Sequence, residues 1–163
     1  MTKQQDFSMW SVNFILFCLA NFLYYGAFYL YIPVLPQYVE MLGGTPADIG
    51  LVGGAFGLSS FIIRPYLGKL VNEWGRKRMM LLGTISFALL FLLFGRVPGV
   101  VPLVVLRLAH GVCLAMYLAA SAAYIADYAP VDRRGEVLGI YQTCSVVSMA
   151  VFPAAGIWIL QHT

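Results

Sequence analysis

The chain has 163 residues, 61% hydrophobic and 10% charged, with a formal net charge of +3. Soluble domains carry roughly 25% charged residues, so this composition excludes a soluble globular domain and points to an all-α polytopic membrane protein. The few bases form no stripe on a soluble face, which excludes nucleic acid as a partner.

About twenty apolar residues cross a hydrocarbon core roughly 30 Å thick. Stretches of that kind run over Asn13–Leu35, Ile49–Val71, Met79–Gly95, Pro102–Ala123 and Val137–Leu160, the third being short and gaining length from its flanks. Residues 1–163 therefore read as one partial transmembrane domain. Lys3 precedes an apolar run that is too long for a signal peptide and lacks a small-residue cleavage site, so it is expected to stay as the first span. Pro33 and Pro36 are expected to kink or end that span near the outer surface. Asn21 and Tyr25, together with Gln142 of the fifth span, are candidates to line a solute path.

The second span carries Gly50, Gly53, Gly54, Gly57, Ser60 and Gly68, mostly on one face, and small faces let membrane helices approach closely. Arg64 follows Gly57 by two turns and is expected on that same face, pointing into the bundle. Residues 68–80, Gly-Lys-Leu-Val-Asn-Glu-Trp-Gly-Arg-Lys-Arg-Met-Met, read as a tight basic loop bounded by Gly68 and Gly75.

In the fourth span Arg107, Gly111, Ala115, Ala119 and Ala122 share a face. Arg107 lies about 7 Å inward from Pro102 at 1.5 Å per residue. A charge at that depth pairs, snorkels or lines a wet cavity. His110 is either a hydrogen-bonded packing residue or a proton carrier. The connection to the fifth span holds Asp127, Pro130, Arg133 and Arg134, with both arginines expected within reach of Asp127. It is either a solvated loop, a charge cluster that holds an inner gate, or both.

The bases set the orientation. With the N-terminus inside, Lys3, Lys69, Arg76, Lys77, Arg78, Arg133 and Arg134 face the cytoplasm and Arg96 alone faces out; such asymmetry fixes topology. The expected location is the cell (plasma or inner) membrane, multi-pass, with a cytoplasmic N-terminus. None of the spans contains Asp or Glu, so proton coupling would rest on Arg107 and His110 or on a carboxylate elsewhere. Cys18, Cys113 and Cys144 fall in apolar runs and read as small hydrophobes, not a disulfide framework or a metal site. No His-Glu-x-x-His and no Gly-x-Ser-x-Gly-like site occurs, so the chain is not expected to be an enzyme, and no cofactor or metal is expected.

Four segments resemble the major facilitator superfamily. Gly68, Gly75, Arg76 and Lys77 match its signature loop, Gly-x-x-x-Asp-Arg-x-Gly-Arg-Arg/Lys, with Asn72 in place of the Asp and Glu73 in place of a base. Arg107-Leu-Ala-His110-Gly111 is similar to the fourth-span Arg-x-x-Gln-Gly, whose arginine is tied to proton movement in proton-coupled relatives. The 127–135 segment is similar to the loop Asp-x-x-Pro-x-x-Arg-Arg-Gly. The fifth span holds Gly139, Ser148, Pro153 and Gly156 in the register of the antiporter pattern, with bulky Phe152 and Ile157 replacing two glycines. The resemblance implies part of the N-terminal six-span half of a twelve-span transporter of the efflux or antiporter type. Such transporters bind a small-molecule substrate near the midplane and work by alternating access. The partners implied are the substrate, the lipid bilayer and the missing C-terminal half; alone, the chain is not expected to transport. The alternative reading is a truncated, non-transporting membrane protein or a helical partner of another subunit.

Overall fold

The computed structural model describes residues 11–162. The elements are α1 (Val12–Tyr31), α2 (Leu35–Met41), α3 (Pro46–Trp74), α4 (Arg76–Leu93), α5 (Val100–Tyr128) and α6 (Arg134–Gln161), with 3-10 turns at Ile32–Val34, Phe94–Arg96 and Val131–Arg133. Among the described residues there is no strand. Counting the turns with their helices, five segments are long and apolar enough to cross a membrane: Val12–Met41, Pro46–Trp74, Arg76–Arg96, Val100–Tyr128 and Val131–Gln161.

Local chemistry explains where the helices start and stop. Ser11 caps α1 by accepting from the Phe14 N–H at 3.3 Å. Thr45 and Asp48 form a reciprocal capping box on α3: the Thr45 N–H donates to Asp48 Oδ2 at 2.7 Å and the Asp48 N–H donates to Thr45 Oγ1 at 3.4 Å. Such a box satisfies amide donors that a helix start otherwise leaves unpaired. Pro33 falls in the 3-10 turn and Pro36 in the first turn of α2. A missing N–H costs little there, so the α-helix gives way to the 3-10 turn at the prolines and α2 follows.

One expectation about the basic loop is corrected. Gly68 and Asn72 lie inside α3, and the connection to α4 is Gly75 alone, at φ 87° and ψ 143°. Residues Lys69–Trp74 contain no helix breaker, and Val71 anchors their turn in a cluster with Leu67, Met79, Ala115 and Ala120. The helix therefore runs past the apolar stretch into polar sequence. The turn falls where glycine alone among the residues tolerates the backbone angles without strain.

The chain forms two compact units. In the first, α1 and α6 run parallel. Phe14 packs with Ile125, Ala129, Val137 and Tyr141. Phe17 stacks on Tyr141 at 5.1 Å, and Ser148 Oγ donates to the Phe22 carbonyl at 2.7 Å. The Phe152 ring fills the space beside Gly26, and Gly156 sits directly against the Leu30 carbonyl. The second unit spans Leu35–Tyr124. There a Cβ added to Gly83 of α4 would lie 3.0 Å from the backbone of Cys113 and Tyr117, and the Tyr38 hydroxyl donates to the Phe94 carbonyl. Outward-facing positions are largely apolar, with Phe61, Leu92 and Val101 each more than 70% exposed, as a lipid-facing surface requires.

Candidate functional site

The second unit holds the most deeply buried charge. Arg107 on α5 is 3% exposed and His110, one turn on, is 1% exposed. Arg107 Nε donates to the Val52 carbonyl of α3 at 3.4 Å. Its guanidinium carbon lies 4.3 Å from the centroid of the Phe56 ring, within the range of a cation–π attraction, which strengthens as water is removed. What brings these groups together is Gly111. At that residue α5 touches α3 so closely that an added Cβ would collide with the Phe56 carbonyl and Ser59 Oγ. Val52, Phe56 and Ser59 follow one another at helical spacing along α3, so one close crossing delivers both a carbonyl and a ring to Arg107.

His110 is set by α4. Its ring stacks on Phe87 with centroids 4.0 Å apart, and Phe94 and Phe91 lie at 5.2 and 6.1 Å. Nε2 is 3.1 Å from the Phe87 carbonyl. A carbonyl only accepts, so Nε2 carries the proton and Nδ1 is the ring's acceptor nitrogen. Nδ1 is buried and has no hydrogen-bond partner among the described residues. The centre thus combines a fixed cation, an aromatic wall and one buried nitrogen able to take a proton.

The other sequence-derived positions fall elsewhere. Arg64 is exposed among the described residues. Gly50, Gly53, Gly54, Gly57 and Gly68 likewise have nothing within 4 Å of an added Cβ. The buried face of α3 runs instead through Val52, Ala55, Ser60, Leu67 and Val71, because the larger side chains interlock with neighbouring helices and leave the small face open. At the 127–136 connection, Arg133 makes a two-point pair with Glu136, at 2.9 and 3.1 Å, and its guanidinium is aimed along α6. Asp127 and Arg134 are exposed, as are Asn72 and Lys77, while Gly75 and Arg76 are half-buried. Glu73 reaches Lys69 at 3.8 Å, both exposed.

In the first unit Asn21 is fully buried, and its Nδ2 donates to the Tyr141 carbonyl at 3.1 Å. Tyr25 is buried between Tyr24 and Tyr29, with ring centroids at 5.8 and 6.0 Å. Gln142 is exposed and its carbonyl accepts from Ser145 Oγ. Ser148 and Gly156 are buried against α1, Pro153 is half-buried, and Gly139 is exposed with nothing near it. The fifth-span motif is thus divided between a packed edge and an open one. Sequence reading missed Val52, Phe56 and Phe87 around the buried pair. It also missed Gly26 opposite Phe152, although a phenylalanine standing where a glycine pattern runs is itself a signal to seek a small residue across the seam.

The Major Facilitator Superfamily pattern matches residues 17–163. The chain is 34% identical over 158 residues to "Multidrug resistance protein MdtG" of Salmonella paratyphi A, covering 94% of this chain and 39% of that protein. It is 31% identical over 127 residues to "Multidrug resistance protein 2" of Bacillus subtilis, covering 78% and 32%. Against "Quinolone resistance protein NorA" of Staphylococcus aureus it is 34% identical over 110 residues, covering 68% and 28%. It therefore spans about a third of the length of the curated relatives it matches. With its membrane-length helices and the match along nearly all of its sequence, the chain belongs to the Major Facilitator Superfamily.

Proposed function

We propose that this chain is the N-terminal part of a transporter that expels small organic solutes across the cell membrane by alternating access, coupled to proton entry. The names of its relatives, which concern multidrug and quinolone resistance, support solute efflux. Arg107 carries the reading. A guanidinium held inside a membrane span is expensive unless function requires it, and this one is anchored to a backbone carbonyl and a ring. Such an anchor fixes a positive charge while leaving it able to exchange partners as the helices rock.

In this reading His110 Nδ1 is the atom that receives the proton and Arg107, one turn away, is the fixed charge beside it. Gly75, Arg76, Lys77, Asn72, Gly68, Asp127, Arg133 and Arg134 form the inner gate region on the cytoplasmic side, with the N-terminus. Arg64, on the open face of α3, and the exposed Gly139 and Gln142 of α6 are available to the second half and to substrate, while the buried Asn21, Tyr25, Ser148 and Gly156 and the half-buried Pro153 hold α1 and α6 together.

The test is dye efflux from energised cells carrying the full-length transporter. Arg107→Ala is expected to abolish efflux at unchanged expression, and His110→Gln is expected to retain binding of the dye but lose its acceleration by a proton gradient. Normal efflux by the Arg107 variant would reduce Arg107 to packing.

A further inference from the structure

The seam between α1 and α6 has a regular ladder of contacts. The Leu30 carbonyl meets Gly156, Gly26 meets the Phe152 ring, and the Phe22 carbonyl accepts from Ser148 Oγ. Successive rungs are four residues apart on both helices, and each joins residues separated by 126 positions. One turn toward the N-termini, the same separation pairs Cys18 with Cys144. The register places the two cysteines opposite each other across the seam. On the other side of this rung, Phe17 stacks on Tyr141 and Asn21 Nδ2 donates to the Tyr141 carbonyl. Fixed contacts on both sides therefore hold the two cysteines in register across the seam. Both cysteines are free and half-buried, so a small permeant molecule can reach them, whereas Cys113 is buried on α5.

We propose that Cys18 and Cys144 form a dithiol site for a trivalent arsenical, which bridges α1 and α6. An aryl arsenoxide condenses with the two thiols. Two As–S bonds form, the arsenic–oxygen bond breaks, and the oxygen leaves with both thiol protons as one water. Arsenic stays trivalent, so the step needs no oxidant. The ligand suits the place: it is neutral and lipophilic, whereas a hydrated dication would have to shed its water in an apolar seam. The second As–S bond is intramolecular, which makes the bridged adduct resist competition in a way that a single-thiol adduct does not.

The experiment uses the purified 163-residue chain in detergent micelles with phenylarsine oxide as the probe. After washing with a monothiol, intact mass gives the adducts retained. Alkylation with a maleimide in dodecyl sulfate then maps which cysteines were protected. One arsenical per chain is expected, protecting Cys18 and Cys144 but not Cys113. An effective thiol concentration on the order of millimolar makes release about tenfold slower, against a wash of about 0.1 mM monothiol, than from Cys18→Ala or Cys144→Ala. Cys113→Ala is expected to behave as the unaltered chain. Protection of a single cysteine, protection of Cys113, or retention undiminished in both single variants overturns the proposal. Because the protection map is read on the unaltered sequence, it decides the matter even where a variant fails to fold.

Discussion

Replacing Gly111 with alanine adds one methyl group at the point where α5 crosses α3, and the structure assigns it a large effect. The new Cβ would collide with the Phe56 carbonyl and Ser59 Oγ. The first is helix backbone and cannot swing aside, so the helices must separate. Overpacking of this kind costs about 1–3 kcal/mol. Separation also stretches the Arg107 hydrogen bond to Val52, already 3.4 Å, and lifts Phe56 from the guanidinium. Loss of a hydrogen bond to a charged group adds about 1.5–3 kcal/mol. Against this, exchanging glycine for alanine inside a helix returns roughly 0.5–1 kcal/mol. The net is a destabilisation of about 1.5–5.5 kcal/mol, or roughly tenfold to 10,000-fold in the folding equilibrium at 1.4 kcal/mol per decade. Gly57→Ala is the control, since nothing lies within 4 Å of its added Cβ, and only the favourable helix term of up to about 1 kcal/mol should remain. Both variants can be unfolded in mixed micelles by titration with dodecyl sulfate, followed by tryptophan fluorescence. The midpoint should fall for Gly111→Ala and hold or rise for Gly57→Ala. Shifts of the same sign and size in the two would refute the claim that α5 packs on α3 through Gly111.

Gly75→Ala forces a side chain onto a φ of 87° and is expected to lower stability by about 1–3 kcal/mol in the same titration; an unchanged midpoint would mean that the turn adapts freely. Asn72→Asp in the full-length transporter is expected to strengthen the inner gate through charge-assisted bonds, seen as reduced reactivity of cysteines placed on the cytoplasmic side; unchanged or greater reactivity counts against the gate. Single cysteines at Lys77 and Gly44, in a background without native cysteines, should label with an impermeant thiol reagent in intact cells only at Gly44, and labelling confined to Lys77 would invert the topology. Gly26→Ala and Phe152→Ala are expected to couple by about 0.5–3 kcal/mol in a double-mutant cycle, the second relieving the first; simple additivity would separate the two residues.

The spans were legible because apolar runs of membrane length carry one meaning in water and another in lipid. Their limits were less so. Nothing in Lys69–Trp74 forbids helix, so α3 outlasts its apolar stretch, while Gly75, one residue in a run of polar ones, makes the whole turn. The face of α3 that packs within this chain was hard to read for a physical reason. In water the buried face of a helix announces itself by polarity, but lipid is as apolar as leucine, and packing must be inferred from size alone. Small residues on α3 suggested the contact face; the residues that interlock are Val52, Ala55, Leu67 and Val71, and Arg64 follows the glycines outward. Arg107 was legible as a charge out of place. Its partners were not, because a backbone carbonyl leaves no mark in the sequence pattern and Phe56 looks like any other apolar residue.

The α1–α6 seam shows what size can reveal when both sides are read. A glycine pattern interrupted by Phe152 looks like a motif in decay if α6 is read alone. Across the seam, Gly26 of α1 gives up its side chain at the position where the ring enters, and an added Cβ there would sit 2.5–2.8 Å from the ring carbons. The next rung reverses the arrangement, with Gly156 on α6 admitting the α1 backbone at Leu30. Bulk and space alternate between the helices, so the packing is close whichever helix supplies the glycine. Two helices joined in this way, with Ser148 bonded to Phe22 and Asn21 to Tyr141, offer no sliding surface. Motion that depended on α6 gliding over α1 would have to break each rung in turn. The seam therefore fits a pair that moves as one body.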